Sequence, residues 1–160
     1  MSQTVLSCRC GTCRLSLEGA PIQAVTCHCE SCRSAAERME ALPGAPRERT
    51  EDGGTPFVLV RKDCIAPTAG QDHLAGFRLN PDSPTRRAVA TCCNSPMFLD
   101  FQRGHWLSVN AARWPGPLPP DLPHPDRQGV GFLSRLLGAW VRMGFRTPKL
   151  DYPRKDLADV

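Results

Sequence analysis

Cys27-His28-Cys29-Glu30-Ser31-Cys32 places three thiols within six residues. A cysteine buried for packing behaves as a small hydrophobe and normally stands singly. The residues between these three are His, Glu and Ser, which belong on a surface turn. A tight turn aims all three sulfurs at one point, and converging thiolates suit Zn²⁺. The C-x-C-x-x-C spacing recurs at Cys8-Arg9-Cys10-Gly11-Thr12-Cys13, and a third cluster, Cys92-Cys93, follows far downstream. Of the nine cysteines, Cys64 stands apart. The rest of the chain reads as a scaffold that gathers these clusters, with metal crosslinks carrying part of the stability.

A disulfide framework is the weaker reading. The cysteine count is odd, and Met1 to Cys10 shows no basic segment followed by an apolar run, so no secretory signal is expected. The spacings also suit metal better. A reducing cytoplasm is the expected setting. No stretch approaches ~18 consecutive apolar residues, so no membrane span is expected. Net charge is +4, and 17 of the 20 basic residues are Arg. They are scattered from Arg9 to Arg154 without an aromatic platform among them, so nucleic acid is not an expected partner.

The 16 prolines and 13 glycines favour short strands and turns over long helices. Strands are expected at 4–6, 13–18, 22–25, 57–60, 73–79, 86–90, 97–101 and 106–110, from their alternating or continuous apolar runs. Asp63 to Pro67 is expected to end the 57–60 strand. Good helix formers fill 33–42 and stop at Pro43-Gly44, and 43–56 reads as an exposed loop. Phe132, Leu133, Leu136, Leu137, Trp140 and Val141 recur at helical spacing. That helix is expected to pack on the domain or on a second copy, giving a homodimer. The fold class expected is mainly β with a C-terminal α-helix. Residues 1–114 are expected to form the zinc-binding domain, and 115–160 a Pro-rich linker, the helix packed on it and a frayed tail.

Cys27, Cys29 and Cys32 make a three-ligand set from one loop. Cys8 and Cys10 supply two ligands from another loop, which must be completed from elsewhere; Cys92-Cys93 is the obvious source. Adjacent residues on a regular strand point to opposite faces, so both can bind one ion only if the chain turns at Asn94-Ser95-Pro96. Cys93 is nearer that turn, and Cys92 or Cys13 would be fourth. Cys13 shares a strand face with Leu15 and Leu17, which makes a core thiol slightly better supported than a ligand. Cys64 reads as structural or free. Three thiolates leave Zn²⁺ with a formal charge of −1, better suited to holding a further thiolate than to making hydroxide. His28 and Glu30 sit between ligands and could shuttle a proton, but such residues are more often merely exposed or donate to a ligand sulfur.

Cys8-Arg9-Cys10-Gly11, then Cys27-His28-Cys29-x-x-Cys32-Arg33, then Thr55-Pro56-Phe57, then Cys93-Asn94-Ser95-Pro96-Met97, resembles the glutathione-dependent formaldehyde-activating enzyme and centromere protein V family over roughly residues 5 to 110. The resemblance implies a zinc-stabilised β-tent of several small coiled sheets. It implies a structural zinc on Cys8, Cys10 and Cys93, and a catalytic zinc on Cys27, Cys29 and Cys32, hence one or two Zn²⁺ per chain. The reaction class implied is addition of glutathione to formaldehyde, or a related carbon–sulfur lyase step, with a small thiol and a small aldehyde as partners. Two positions depart from the family's later C-x-x-C-G: Ala90 stands at the first Cys and Asn94 at the Gly. Cys92 is placed to replace the missing ligand from a shifted position. The segment 33–56 also looks longer than in the formaldehyde-activating members, which points to a different substrate.

Three functional readings follow: a zinc enzyme acting on a thiol–aldehyde adduct, a non-catalytic zinc-held binding module, and a thiol redox sensor based on vicinal Cys92-Cys93.

Overall fold

The computed structural model describes residues 2–157. Among them nine strands form two antiparallel sheets. β1 (Gln3–Ser7), β2 (Arg14–Glu18) and β5 (Ile65–Ala69) make a three-stranded sheet in the order β1-β2-β5. β3 (Gln23–Cys27), β4 (Thr55–Arg61), β6 (Leu74–Phe77), β7 (Thr85–Ala90), β8 (Ser95–Phe101) and β9 (Trp106–Asn110) make a six-stranded sheet in the order β3-β4-β9-β8-β7-β6. Among the described residues there are two α-helices, α1 (Glu30–Glu40) and α2 (Val130–Arg142). The fold class is therefore mainly β with a C-terminal α-helix.

Strand periodicity sets the layers. On β4, Val58 and Val60 face one side and join Leu6, Leu15 and Leu17 of the small sheet in the main core. Phe57 and Leu59 face the other side and meet Cys32 of α1 and Phe132 and Leu136 of α2. Ala35 and Met39 of α1 pack on Phe77 and Val89 beside them. Each large apolar side chain so buried contributes about 2 kcal/mol. The six-stranded sheet is thus sandwiched between the small sheet and the two helices.

Several expectations are corrected. Ile65 to Ala69 does not merely end the preceding strand; it is β5, paired with β2. A proline within a strand argues against a central position, but β5 is an edge, where Pro67 is tolerated. Helix α1 begins at Glu30 with Cys29 as its N-cap, so Cys32 lies inside the first turn and not before the helix. Its buried face, Cys32, Ala35, Ala36 and Met39, follows helical spacing. The 43–56 segment is not simply exposed: Glu48 pairs with buried Arg113, and Arg49 forks onto Glu40. The tail is not frayed through its described part. Leu150 and Tyr152 are buried, and the Lys155 and Leu157 backbones bond to Gly76 on β6. The Pro-rich segment wraps the other sheet edge, where Pro123 accepts from the Ala24 amide.

α2 buries only part of its apolar stripe. Phe132, Leu136 and Ala139 pack inward, whereas Leu133, Leu137 and Val141 are more than half exposed. Among the described residues, no helix is long and apolar enough to cross a membrane.

Candidate metal centres

The first centre draws on two distant segments. The turn after β1 carries Cys8 and Cys10, with Gly11 at φ 78° allowing the reversal. The turn between β7 and β8 carries Cys92 and Cys93. Asn94 there takes φ 50°, a left-handed conformation that asparagine accepts more readily than most residues. This reversal brings the two adjacent cysteines to one side, and the Sγ atoms of Cys8, Cys10, Cys92 and Cys93 all lie within 4.8 Å of one another. Cys8 to Cys10 is 3.5 Å, Cys8 to Cys92 is 3.7 Å and Cys10 to Cys92 is 3.4 Å. A tetrahedral Zn–S₄ site with bonds of ~2.3 Å has edges of about 3.8 Å. The four sulfurs therefore fit a closed tetrahedral ion site, and Ala90, at the end of β7, has no part in it.

Polar groups surround this centre. The Cys13 amide donates to Cys8 Sγ at 3.3 Å. The Thr12 hydroxyl lies 3.3 Å from Cys10 Sγ and, with the Thr12 backbone N–H, lowers the Cys10 pKa to about 6. Cys13 behaves differently. It is buried, donates its thiol to the Gly70 carbonyl at 3.1 Å, and burial pushes its pKa up to about 11. A thiol so satisfied is a core residue at the rim of the cluster, as its strand face predicts. Cys64 lies in neither cluster; it sits beside Asp63 with burial raising its pKa.

The second centre is local. Cys27 ends β3, Cys29 caps α1 and Cys32 lies in its first turn, and their Sγ atoms all fall within 4.8 Å of one another. Cys29 Sγ accepts the Cys32 amide at 3.4 Å, the bond expected of an N-cap. Cys27 is lowered to about 5, chiefly by a hydrogen bond from Cys32, against the cost of its burial. Cys32 is correspondingly raised, by that same bond and then by burial. Here three sulfurs converge, and no fourth His, Cys, Asp or Glu joins them among the described residues. His28 and Glu30 point elsewhere than into this triad: His28 Nε2 lies 3.7 Å from Asp52 Oδ2, and Glu30 is exposed in the first turn of α1.

A cleft of about 420 Å³ opens beside the second centre. Cys27, Cys29, Ser31 and Cys32 form one end, Phe57, Leu59 and Trp106 the sheet side, and Phe132, Leu133 and Leu136 of α2 the opposite wall. Arg87 on β7 lines it too and donates to Ser31, Nη2 lying 3.0 Å from Oγ and 3.3 Å from the carbonyl oxygen. The cysteine spacing locates the triad but gives no sign of Arg87 or of the α2 wall, which reach it only through the strand order.

Both cysteine groups can hold a metal ion. No protein-family model matches the chain, and no curated protein does. Among solved structures, the chain is similar to a Rhodobacter sphaeroides protein, a structural genomics target. The two share 16% identity with a TM-score of 0.51, over 76% of this chain and 99% of that one. At that identity the likeness extends to the fold alone.

Proposed function

We propose that the chain is a zinc protein whose Cys27-Cys29-Cys32 centre makes or breaks the carbon–sulfur bond of a thiol–aldehyde adduct, within or near the glutathione-dependent formaldehyde-activating enzyme and centromere protein V family. The contrast between the two centres carries this reading. Four sulfurs close one; three sulfurs beside a cleft leave a position at the other, the pattern that separates structural from catalytic zinc. Zinc held by three thiolates supplies a soft acceptor for one further thiolate. In the reaction the adduct RS–CH(OH)R′ parts into RSH and O=CHR′: the carbon–sulfur electron pair goes to sulfur, and the hydroxyl proton is transferred to it. The walls of the cleft hold the carbon chain and exclude water.

The test is metal content of protein purified under reducing conditions, paired with a Cys29→Ala variant. The expected result is two zinc ions per chain, falling to one in the variant, with a small thiol and a small aldehyde reacting faster in wild type than in the variant. One zinc that survives the variant would replace the enzyme with the second reading, a non-catalytic binding module. That reading is favoured by the exposed Leu133, Leu137 and Val141 of α2, a surface on which a second copy could dock. Protein that binds no zinc would leave thiol redox chemistry.

A further inference from the structure

We propose that Arg87 is the anion-recognising residue of the cleft, and that the ligand it selects is an apolar molecule bearing one carboxylate. The inference deepens the reading of this cleft as the substrate side of the three-thiol centre, and rests on it.

Charge pairing singles Arg87 out. Four Lys or Arg side chains are buried among the described residues: Lys62, Arg86, Arg87 and Arg113. Lys62 pairs with Asp100 at 2.7 Å, Arg86 with Asp156 at 3.2 Å, and Arg113 with Glu48. Arg87 is only 4% exposed, yet it pairs with no carboxylate among the described residues. Its Nη2 is held by Ser31, and its buried Nη1 has no protein partner. A buried guanidinium without a counter-charge is costly, and a free N–H adds to the cost. Such a group is retained where something supplies the missing charge.

The surroundings say what that is. Among the described residues no Asp or Glu lines the cleft, and most of its walls are apolar, from Phe57, Leu59, Leu99, Trp106, Phe132 and Leu136. A strongly polar ligand would lose its hydration against these walls without return. An apolar body with a single carboxylate satisfies both features: its body replaces water on the walls, and its oxygens meet the guanidinium fork. The volume, about 420 Å³, lies in the range of small-molecule sites. Arg87 is tied through Ser31 to the first turn of α1, which carries Cys32 and is capped by Cys29, so a carboxylate held there fixes the distance of the ligand's far end from the thiols. The same tie keeps the fork in place before the ligand arrives.

The test needs no turnover. Zinc-loaded protein is titrated calorimetrically with 4-phenylbutyrate and with 4-phenylbutanamide, which differ only at the anionic group. The acid should bind roughly tenfold or more tightly than the amide, as one charge-assisted contact provides. Arg87→Met should abolish that preference while leaving the amide's affinity and the zinc content unchanged, and Arg87→Lys should restore part of it. Equal affinity of wild type for acid and amide, or binding of neither, overturns the inference whether or not the variants fold. Equal affinity together with zinc loss in Arg87→Met would assign the guanidinium to offsetting the thiolates instead. Zinc content and adduct turnover decide the enzyme reading separately, so failure of the one is distinguishable from failure of the other.

Discussion

The His105 imidazole reaches across from the turn before β9 to the backbone of α2, its Nε2 2.7 Å from the Leu136 carbonyl oxygen. The same ring stacks on Trp140 of α2 at 5.6 Å and meets Trp106 edge-on at 5.1 Å. Burial lowers its pKa, which fits a neutral ring donating Nε2–H to the carbonyl. This contact fastens the wall of the cleft to the sheet.

Replacing His105 by Ala should therefore loosen α2 by about 1–2 kcal/mol. Hydrogen exchange is expected to accelerate across 130–142 while amides of β4 and β9 stay protected. The pH sign follows from the depressed native pKa. The imidazole's contribution is present above the unfolded value of about 6.5 and is lost as pH falls through the lower folded value, because the unfolded chain binds the proton first. Thermal midpoints measured from pH 7 downward should fall more steeply in wild type than in the variant. Parallel curves would remove His105 from this role.

Cys13 and Cys92 lie 3.9 Å apart and should behave as opposites. Cys13→Ala should retain both metals and cost about 1–2 kcal/mol of packing, since its sulfur is satisfied by Gly70. Cys92→Ala should lose one metal and several kcal/mol of the folding energy that metal supplies. Metal content and denaturant midpoints on the two variants check this, and reversed results would exchange their assignments.

Lys62 and Asp100 form a buried ion pair that also takes in the Phe101 carbonyl, 2.9 Å from Nζ. Lys62→Met alone leaves a buried carboxylate and should cost about 3–5 kcal/mol. Adding Asp100→Leu should recover most of that loss. A double-mutant cycle in denaturant that shows simple additivity would mean the two groups do not act as a pair.

Tyr152 is the one tyrosine of the chain, so tyrosinate absorbance reports it alone. Burial, and then the Asp100 carboxylate, raise its pKa to about 12. Its hydroxyl lies 3.3 Å from Asp100 Oδ2. The native midpoint should stand near 12, against about 10 in denaturant. The group's stabilisation is accordingly full below pH ~10 and is lost as pH rises through the folded value. A native midpoint near 10 would mean that the tail does not hold this ring in the core.

Local pattern made most strands legible, because alternating or continuous apolar runs such as 13–18 and 57–60 have few other uses. The cysteine spacing likewise located both thiol groups. What it could not resolve was Cys92 against Cys93, since their common direction depends on Asn94 entering the left-handed region. β5 was hidden because a proline in a strand makes sense only once the strand is known to be an edge. The apolar stripe of α2 marks a helix but not its packed side: Phe132 and Leu136 are buried, Leu133 and Leu137 are not. Arg87 was invisible for a more general reason. Nothing in a local pattern says that one arginine among 17 will be buried with no carboxylate beside it among the described residues.

The sulfurs of Cys8 and Cys92 are 3.7 Å apart in space and 84 residues apart in the chain, whereas the other thiol group spans six consecutive residues. During synthesis the two groups are therefore completed at different times. The Cys27-to-Cys32 group has all its ligands once that short stretch has left the ribosome. Cys8 and Cys10 emerge before it, yet Cys8 must wait for the residue 84 positions further on before Cys92 and Cys93 join them. Throughout that interval Cys8 and Cys10 stay open to oxidants and to competing metals, although they precede the group that closes sooner. Closure of the four-sulfur group then coincides with arrival of the β7–β8 turn, so a filled site certifies that the sheet has been assembled.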